Sequence, residues 1–263
     1  MLLAGRAAFI TGGGGRIGRA IAATLRAEGA RVALADRNDA MLAAAQHAIG
    51  ASGDLVALAG DTANEATIER LVDDAEAAIG AIDLLVTCAA VYPNVALVDS
   101  DVAQWDEVYA VNVRGVMLAC RAFARRWIER DVAGAIVNLS SGAARSARRG
   151  AAAYCGSKAA VNMLGEVFAT ELGPRGIRVN TVAPGLVMDD VLTAGDPSVH
   201  PYYNAMLEAT PLGRTGAAAE IADTVAFLLS DRSRWTTGAL IEVTGGSHCG
   251  RTHVPFTTDI KRR

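Results

Sequence analysis

The chain alternates short apolar runs with longer amphipathic ones. Ala7 to Thr11 (AAFIT) is apolar up to its last residue and predicts a strand. Glycines follow, then a helix from about Arg16 to Glu28 that Gly29 closes. Arg31 to Ala35 is the next strand, an Ala-rich helix starts from Asn38, and Leu55 to Ala59 is a third strand. Asn64 opens a helix, because its side chain can accept from the free amides of a first turn. Within that helix Ile68, Leu71, Val72, Ala75 and Ile79 recur at three and four, which is one helical face, and Gly80 ends it. Asp83 to Thr87 is a fourth strand. A loop with Pro93 leads to a single long helix from about Val102 to Arg130. Ala135 to Leu139 is a fifth strand, and the helix after it runs to Leu172 and stops at GPRG. Ile177 to Ala183 is a sixth strand. Pro184 to Gly216 reads as irregular, and a helix over Ala218 to Leu229 and a strand over Ala239 to Val243 complete the core.

Strands alternating with helices of this length imply parallel pairing through right-handed crossovers. Near-continuous apolar strands imply a sheet covered on both faces. The predicted fold is therefore α/β: one Rossmann-type, doubly wound parallel sheet of about seven strands with helices on both faces. It spans residues 1–246, and a tail follows over 247–263. Such sheets bind ligands outside the carboxyl ends of their strands.

Composition narrows the partners. Half of the 263 residues are apolar (51%), a fifth are charged (20%) and the net charge is −3, so no nucleic-acid or polybasic membrane footprint is present. The four cysteines (Cys88, Cys120, Cys155, Cys249) and the four histidines form no metal spacing. His248, Cys249 and His253 in the tail match no standard site, so no metal is predicted. The start has no charged leader before a long apolar core, and no apolar run reaches about 18 residues. The expectation is a cytoplasmic protein with reduced thiols.

The candidate chemistry lies in Ile136 to Lys158 (IVNLSSGAARSARRGAAAYCGSK). Tyr154 and Lys158 are four apart, on one helix face, one turn apart. An ammonium beside a phenol favours the phenolate and draws its pKa down from about 10. The phenol then becomes a usable proton donor and acceptor. Ser141 follows the fifth strand and can stand at its carboxyl end, facing the phenol. The Tyr–Lys spacing alone also occurs on many ordinary helices, so its context decides. Thr11 to Gly18 (TGGGGRIG) lies after the first strand and before the first helix, where Gly12, Gly14, Gly15, Arg16 and Ile17 can cradle a pyrophosphate. Asp36 follows the second strand, where a carboxylate accepts from both ribose hydroxyls and repels a 2′-phosphate, favouring NAD over NADP. Arg16 and Arg37 weigh the other way, since a guanidinium can hold that phosphate; alternatively Arg16 pairs with Asp36. Asp61-Thr62 after the third strand is a helix-initiating turn, a carboxylate near the adenine amino group, or both.

These residues, with Asn112 in VYAVNVRG, Pro184-Gly185 and the closing TGALIEVTGG, resemble the classical short-chain dehydrogenase/reductase family over roughly residues 5 to 246. The resemblance implies a four-residue active site. Tyr154 would be the general acid or base, and Lys158 would lower its pKa and hold the nicotinamide ribose. Ser141 would bind the substrate oxygen. Asn112 would fix a local break in its helix and a water leading protons away from Lys158. It also implies a homotetramer, a variable lid over about 186–215, and cofactor contacts from Cys88, Ala89, Ala90, Pro184, Gly185, Val187 and Asp189. Three positions depart from the pattern. Arg16 replaces a glycine, Thr87-Cys88-Ala89-Ala90 replaces Asn-Asn-Ala-Gly, and Asp189 replaces a threonine.

On the substrate side, Met188, Tyr202 and Tyr203 give the lid apolar and aromatic surface suited to a small organic molecule. Arg145, Arg148 and Arg149 rim the site between Ser141 and Tyr154, where a guanidinium can bind an anionic group, or else form a solvated loop or subunit contact. The leading reading is an NAD-dependent oxidoreductase interconverting a small secondary alcohol and its ketone or aldehyde. The alternatives are an NADPH-dependent reductase of 3-oxoacyl thioesters and a catalytically idle NAD-binding sensor, the latter favoured by the altered Cys88-Ala89-Ala90 and Asp189.

Overall fold

The computed structural model describes residues 1–50 and 53–249. The seven expected strands form: β1 Ala7–Thr11, β2 Arg31–Asp36, β3 Leu55–Ala59, β4 Leu84–Thr87, β5 Gly134–Leu139, β6 Ile177–Pro184 and β7 Leu240–Val243. They make one sheet in the order β3-β2-β1-β4-β5-β6-β7, with every pair parallel. The order reverses between β1 and β4, which opens a crevice at their carboxyl ends.

Alternation along β1 explains the two cores. Ala8 and Ile10 face α1 (Arg16–Ala27) and α8 (Ala218–Leu229), packing on Ile21, Leu25, Ile221, Val225 and Leu229. Ala7 and Phe9 face the other side, toward Ile68, Leu71, Phe123 and Trp127. All of these are essentially fully buried, and each large side chain contributes about 1.5–3 kcal/mol. α2 (Asp39–Ile49) and α3 (Glu65–Ile79) start as read, with Asn38 and Asn64 accepting from the amides of Met41 and Thr67, each at 3.0 Å.

Two elements differ from the reading. The long helix divides into α4 (Val102–Tyr109), a π turn (Ala110–Arg114) and α5 (Gly115–Glu129). A π turn adds one residue per turn without ending the helix, so the apolar spacing on either side still reads as one element. It buries Val111 and Asn112. The stretch from Pro184 to Gly216 is not wholly irregular, because α7 (Pro201–Glu208) forms within it. Pro201 occupies the first turn and His200 caps it, its ring nitrogen accepting from the Tyr202 amide at 3.2 Å.

This excursion is a lid with a pinched neck. Its outgoing leg bonds the returning leg through Met188 N–H to Gly216 O (3.1 Å), Gly216 N–H to Leu186 O (2.9 Å) and Thr215 N–H to Leu192 O (2.9 Å). Elsewhere Arg121, Arg126 and Arg130 of the α5 region reach Glu65, Glu69, Asp73 and Glu76 of α3, so they serve contacts within the chain. Among the described residues no helix is long and apolar enough to cross a membrane. His253 and the tail from 250 onward lie outside the described residues.

Candidate active site

Every strand end at the crevice supplies a candidate residue. After β1, Gly12 adopts φ +66°, and a Cβ there would stand 2.6 Å from the Ala89 backbone, so this turn requires glycine. Gly14 is similarly restricted, since a Cβ would meet Met41 at 2.8 Å. The turn delivers α1 with Gly15 at its N-cap, no side-chain cap and no acidic residue in its first turn. The leading amides, Arg16 and Ile17 included, therefore offer an anion site at the positive end of the helix. Asp36 accepts from the Gly14 amide (3.2 Å) and the Asn38 amide (3.0 Å). Arg37 pairs with Glu107 at 2.9 Å. Arg16 does not form the Asp36 pair; it binds Asp189 instead, at 2.9 Å. Asp61 makes the turn, accepting from the Ala63 amide at 2.9 Å, and Thr62 is buried beside it.

After β4, the hydroxyl of Thr11 accepts from the amides of Cys88 (3.1 Å) and Ala89 (3.3 Å), which holds the small Cys88-Ala89-Ala90 segment against the glycine turn. Burial pushes the Cys88 thiol up to about 11, so it stays protonated. Val91 is clamped by Asn112: its amide donates to Asn112 Oδ1 and its carbonyl accepts from Nδ2, both at 2.9 Å. Asn112 Nδ2 also reaches Ser157 Oγ at 3.0 Å, so this fully buried side chain joins the π turn, the post-β4 loop and the helix that carries Tyr154 and Lys158.

α6 (Ala152–Leu172) brings Tyr154 and Lys158 to the crevice. Ser141, two residues beyond β5, hydrogen-bonds the Tyr154 phenol, and its Oγ accepts from the Ala143 amide at 3.1 Å. Lys158 Nζ stands 5.9 Å from the centre of the Tyr154 ring. It donates to the carbonyl of Leu139 at 2.8 Å, one residue past the last β4–β5 pair.

The electrostatics differ from the expectation of a lowered phenol. Burial pushes the Tyr154 phenol above its ordinary value, and the Ser141 hydrogen bond and the Arg148 charge only partly offset it. Burial likewise draws the Lys158 ammonium down to about 8. Both groups are thus driven toward neutrality by the same dry surroundings. The Lys158 ammonium is 2% exposed and carries three N–H donors against one carbonyl, which suits it to hydroxyls of a bound ribose.

The three arginines separate. Arg145 reaches Glu242 at 3.3 Å, and Glu242 also meets His248 at 2.9 Å, so Arg145 is committed to the end of β7 rather than to a ligand. Arg148 and Arg149 stay exposed, and Arg148 acts on the phenol. On the lid Met188 is half-buried at the neck, whereas Tyr202 and Tyr203 pack edge-to-face on each other at 5.4 Å, with Tyr202 51% exposed. Pro184 ends β6 and is buried, and the amide of Gly185 just beyond it donates to the Val243 carbonyl at 2.9 Å. Three groups escaped the sequence reading. Tyr92 lies edge-on to the Tyr154 ring at 6.1 Å, Glu107 claims Arg37, and Glu242 claims Arg145. Only Tyr92 carried a local signal, as an aromatic following a strand end that enters the crevice. Among the described residues no His, Cys, Asp and Glu cluster could hold a metal.

A glycine turn, a carboxylate bonded to that turn and a phenol beside a buried amine share one edge of a parallel sheet, the arrangement of nicotinamide-dependent oxidoreductases. A family model described as Enoyl-(Acyl carrier protein) reductase matches residues 15–248. L-xylulose reductase of Bos taurus is 38% identical over 247 residues, 93% of this chain and 97% of that one. 2-(S)-hydroxypropyl-CoM dehydrogenase 3 of Xanthobacter autotrophicus is 40% identical, covering 90% and 94% respectively. A crystal structure of a short-chain type dehydrogenase/reductase from Mycobacterium marinum superposes with a TM-score of 0.84 at 30% identity, covering 94% of this chain and 97% of that one. The chain belongs to the short-chain dehydrogenase/reductase family, an oxidoreductase of the alcohol dehydrogenase/reductase kind that takes a nicotinamide cofactor.

Proposed function

We propose that this enzyme is an NAD-dependent oxidoreductase that interconverts a small secondary alcohol and its ketone or aldehyde, with Tyr154 as general acid and base. The observation that carries the reading is the convergence of Ser141, Tyr154 and Lys158 at the crevice beside the uncapped start of α1. NAD supplies the hydride acceptor, and NADH the donor. The protein supplies position and the proton. Gly12, Gly14, Gly15 and the amides of Arg16 and Ile17 hold the pyrophosphate, and Asp36 the adenosine ribose. Asp61-Thr62, Cys88-Ala89-Ala90, Pro184-Gly185 and Val187 complete the groove. Asp189 acts here through Arg16 rather than by accepting from the nicotinamide amide.

Ser141 holds the substrate oxygen beside the phenol. In reduction the Tyr154 O–H gives its proton to that oxygen; in oxidation the phenolate takes it back. A phenol raised by burial is well stocked with its proton at neutral pH, so oxidation needs alkaline conditions. Lys158 holds the nicotinamide ribose, and Asn112 keeps the Val91 loop and α6 in register. The preference for NAD is supported by Asp36 together with the engagement of both nearby guanidiniums, Arg37 by Glu107 and Arg16 by Asp189. One relative is named for reducing L-xylulose and another for dehydrogenating a 2-hydroxypropyl group, which supports a secondary alcohol. Exposed Met163 and Val167 on α6 and Ile128 on α5 offer apolar surface for the homotetramer, which we assign to the cytoplasm.

Arg148 and Arg149 are the remaining anion-binding candidates on the rim, and Arg148 is favoured because its charge reaches Tyr154. Arg148→Ala should lower kcat/KM about tenfold for hydroxy acids and little for neutral alcohols. Equal losses would make the arginine structural. The cofactor assignment is tested by fluorescence titration with NADH and NADPH, followed by a substrate screen at alkaline pH. A tight NADPH preference would favour the thioester reductase, to which the description of the matching family model lends weight. NAD binding without turnover of any alcohol or carbonyl would favour the sensor.

A further inference from the structure

Two departures from the family pattern, 173 positions apart, meet in space. Arg16 stands where the family carries glycine, and Asp189 where it carries threonine. Arg16 Nε donates to Asp189 Oδ1 at 2.9 Å, and Nη1 donates to the carbonyl of Val187 at 2.8 Å. Arg16 is the first residue of α1, at the helix end fitted for an anion. Val187 and Asp189 lie on the outgoing leg of the lid, where Val187 bridges Gly216 of the returning leg. One guanidinium therefore spans from the wall of the groove to the root of the lid. An unpaired carboxylate so near a diphosphate would repel it, and Arg16 cancels that charge.

We propose that Arg16 and Asp189 form a clasp over the dinucleotide groove, an inference that rests on the nicotinamide-binding reading above. When closed, it holds the lid root against α1, and the cofactor leaves when the pair opens. Both side chains are partly exposed (39% and 63%), so opening costs little and the clasp can cycle with turnover. They are positioning residues that set cofactor exchange and lid order.

Charge alone and a clasp predict different signs. If only charge mattered, removing the arginine would speed release of the anionic cofactor and removing the aspartate would slow it. A clasp requires both removals to speed release. Stopped-flow NADH release from the full chain should be about two- to fivefold faster in Arg16→Ala and also faster in Asp189→Asn. The double variant should be no faster than Arg16→Ala, because the shared contact is already gone. Hydrogen exchange without cofactor should quicken at Met188 and Leu192 in Arg16→Ala and stay unchanged in α8. Slower release in Asp189→Asn, or unchanged lid exchange in Arg16→Ala, would overturn the clasp while leaving NAD binding intact. Failure of the wild-type chain to bind NADH would overturn the proposed function and the clasp together.

Discussion

The floor of the crevice and its lid are built on opposite terms. On the floor, Asn112 and Lys158 are buried to 0% and 2% exposure, and their side chains bond to segments outside their own helices. In the lid, neighbouring legs bond each other, Tyr202 and Tyr203 pack edge-to-face within one short helix, and the side-chain ties to the body include partly exposed ion pairs. Burial gives the floor fixed geometry and shifted proton affinities. Exposure gives the lid contacts that open at small cost. Proton transfer needs the first, and exchange of ligands needs the second.

The hardest test of the floor is Tyr154→Phe. The ring and its edge contact with Tyr92 stay, and only the hydroxyl bonded to Ser141 is lost. Turnover should fall at least about 10³-fold, while NADH affinity stays within about twofold. Steady-state rates beside a fluorescence titration measure both. A small loss of turnover would mean that another group moves the proton.

Lys158→Met separates function from stability on the same floor. The folded chain holds the ammonium at about 8 against 10.5 for a free lysine, so burying the charge costs roughly 3 kcal/mol below pH 8. Between 8 and 10.5 the unfolded chain binds more protons, so wild-type stability rises with pH across that window. The variant should therefore be more stable than wild type at pH 7 by about 2 kcal/mol, after losing the bond to Leu139. That advantage should shrink by pH 9.5, and urea unfolding at the two pH values reads it. Turnover should fall with either substrate direction.

The same contrast explains what the sequence made legible. Strands, helix starts and the crevice follow from local pattern: Asn64 caps as read, the helix after Asn38 starts where it was placed, and the seven apolar runs become the seven strands. The π turn at Asn112 left no trace in the spacing, and only the family pattern pointed to it. α7 has only two turns, with Tyr203, Met206 and Leu207 as its short apolar face and Leu207 alone buried, so its periodicity is too brief to detect, although Pro201 marked its start. The partners of Arg16, Arg37 and Arg145 lie 173, 70 and 97 positions away, beyond any local rule. The proton affinities were misjudged for a related reason. Proximity of Lys158 to Tyr154 was readable, but the burial that moves both groups belongs to the assembled fold.

The smallest effect belongs to the lid neck. Arg214 grips Glu220 at the start of α8 through both nitrogens, at 2.9 and 2.7 Å, and Glu220 also accepts from the Ala217 amide at 2.8 Å. The pair is partly exposed, so its removal exchanges protein contacts for water at nearly equal free energy. Arg214→Ala should leave the urea unfolding midpoint nearly unchanged. Its local effect should be larger than its global one. With the returning leg freed from α8, hydrogen exchange should rise at Thr215 and Gly216, whose amides bond the outgoing leg at Leu192 and Leu186. Exchange at Val91, held by Asn112, should not move. If the variant loosened Val91 as much as Thr215, floor and lid would be one cooperative unit, and the division between a fixed proton-transfer site and a separately opening cover would fail.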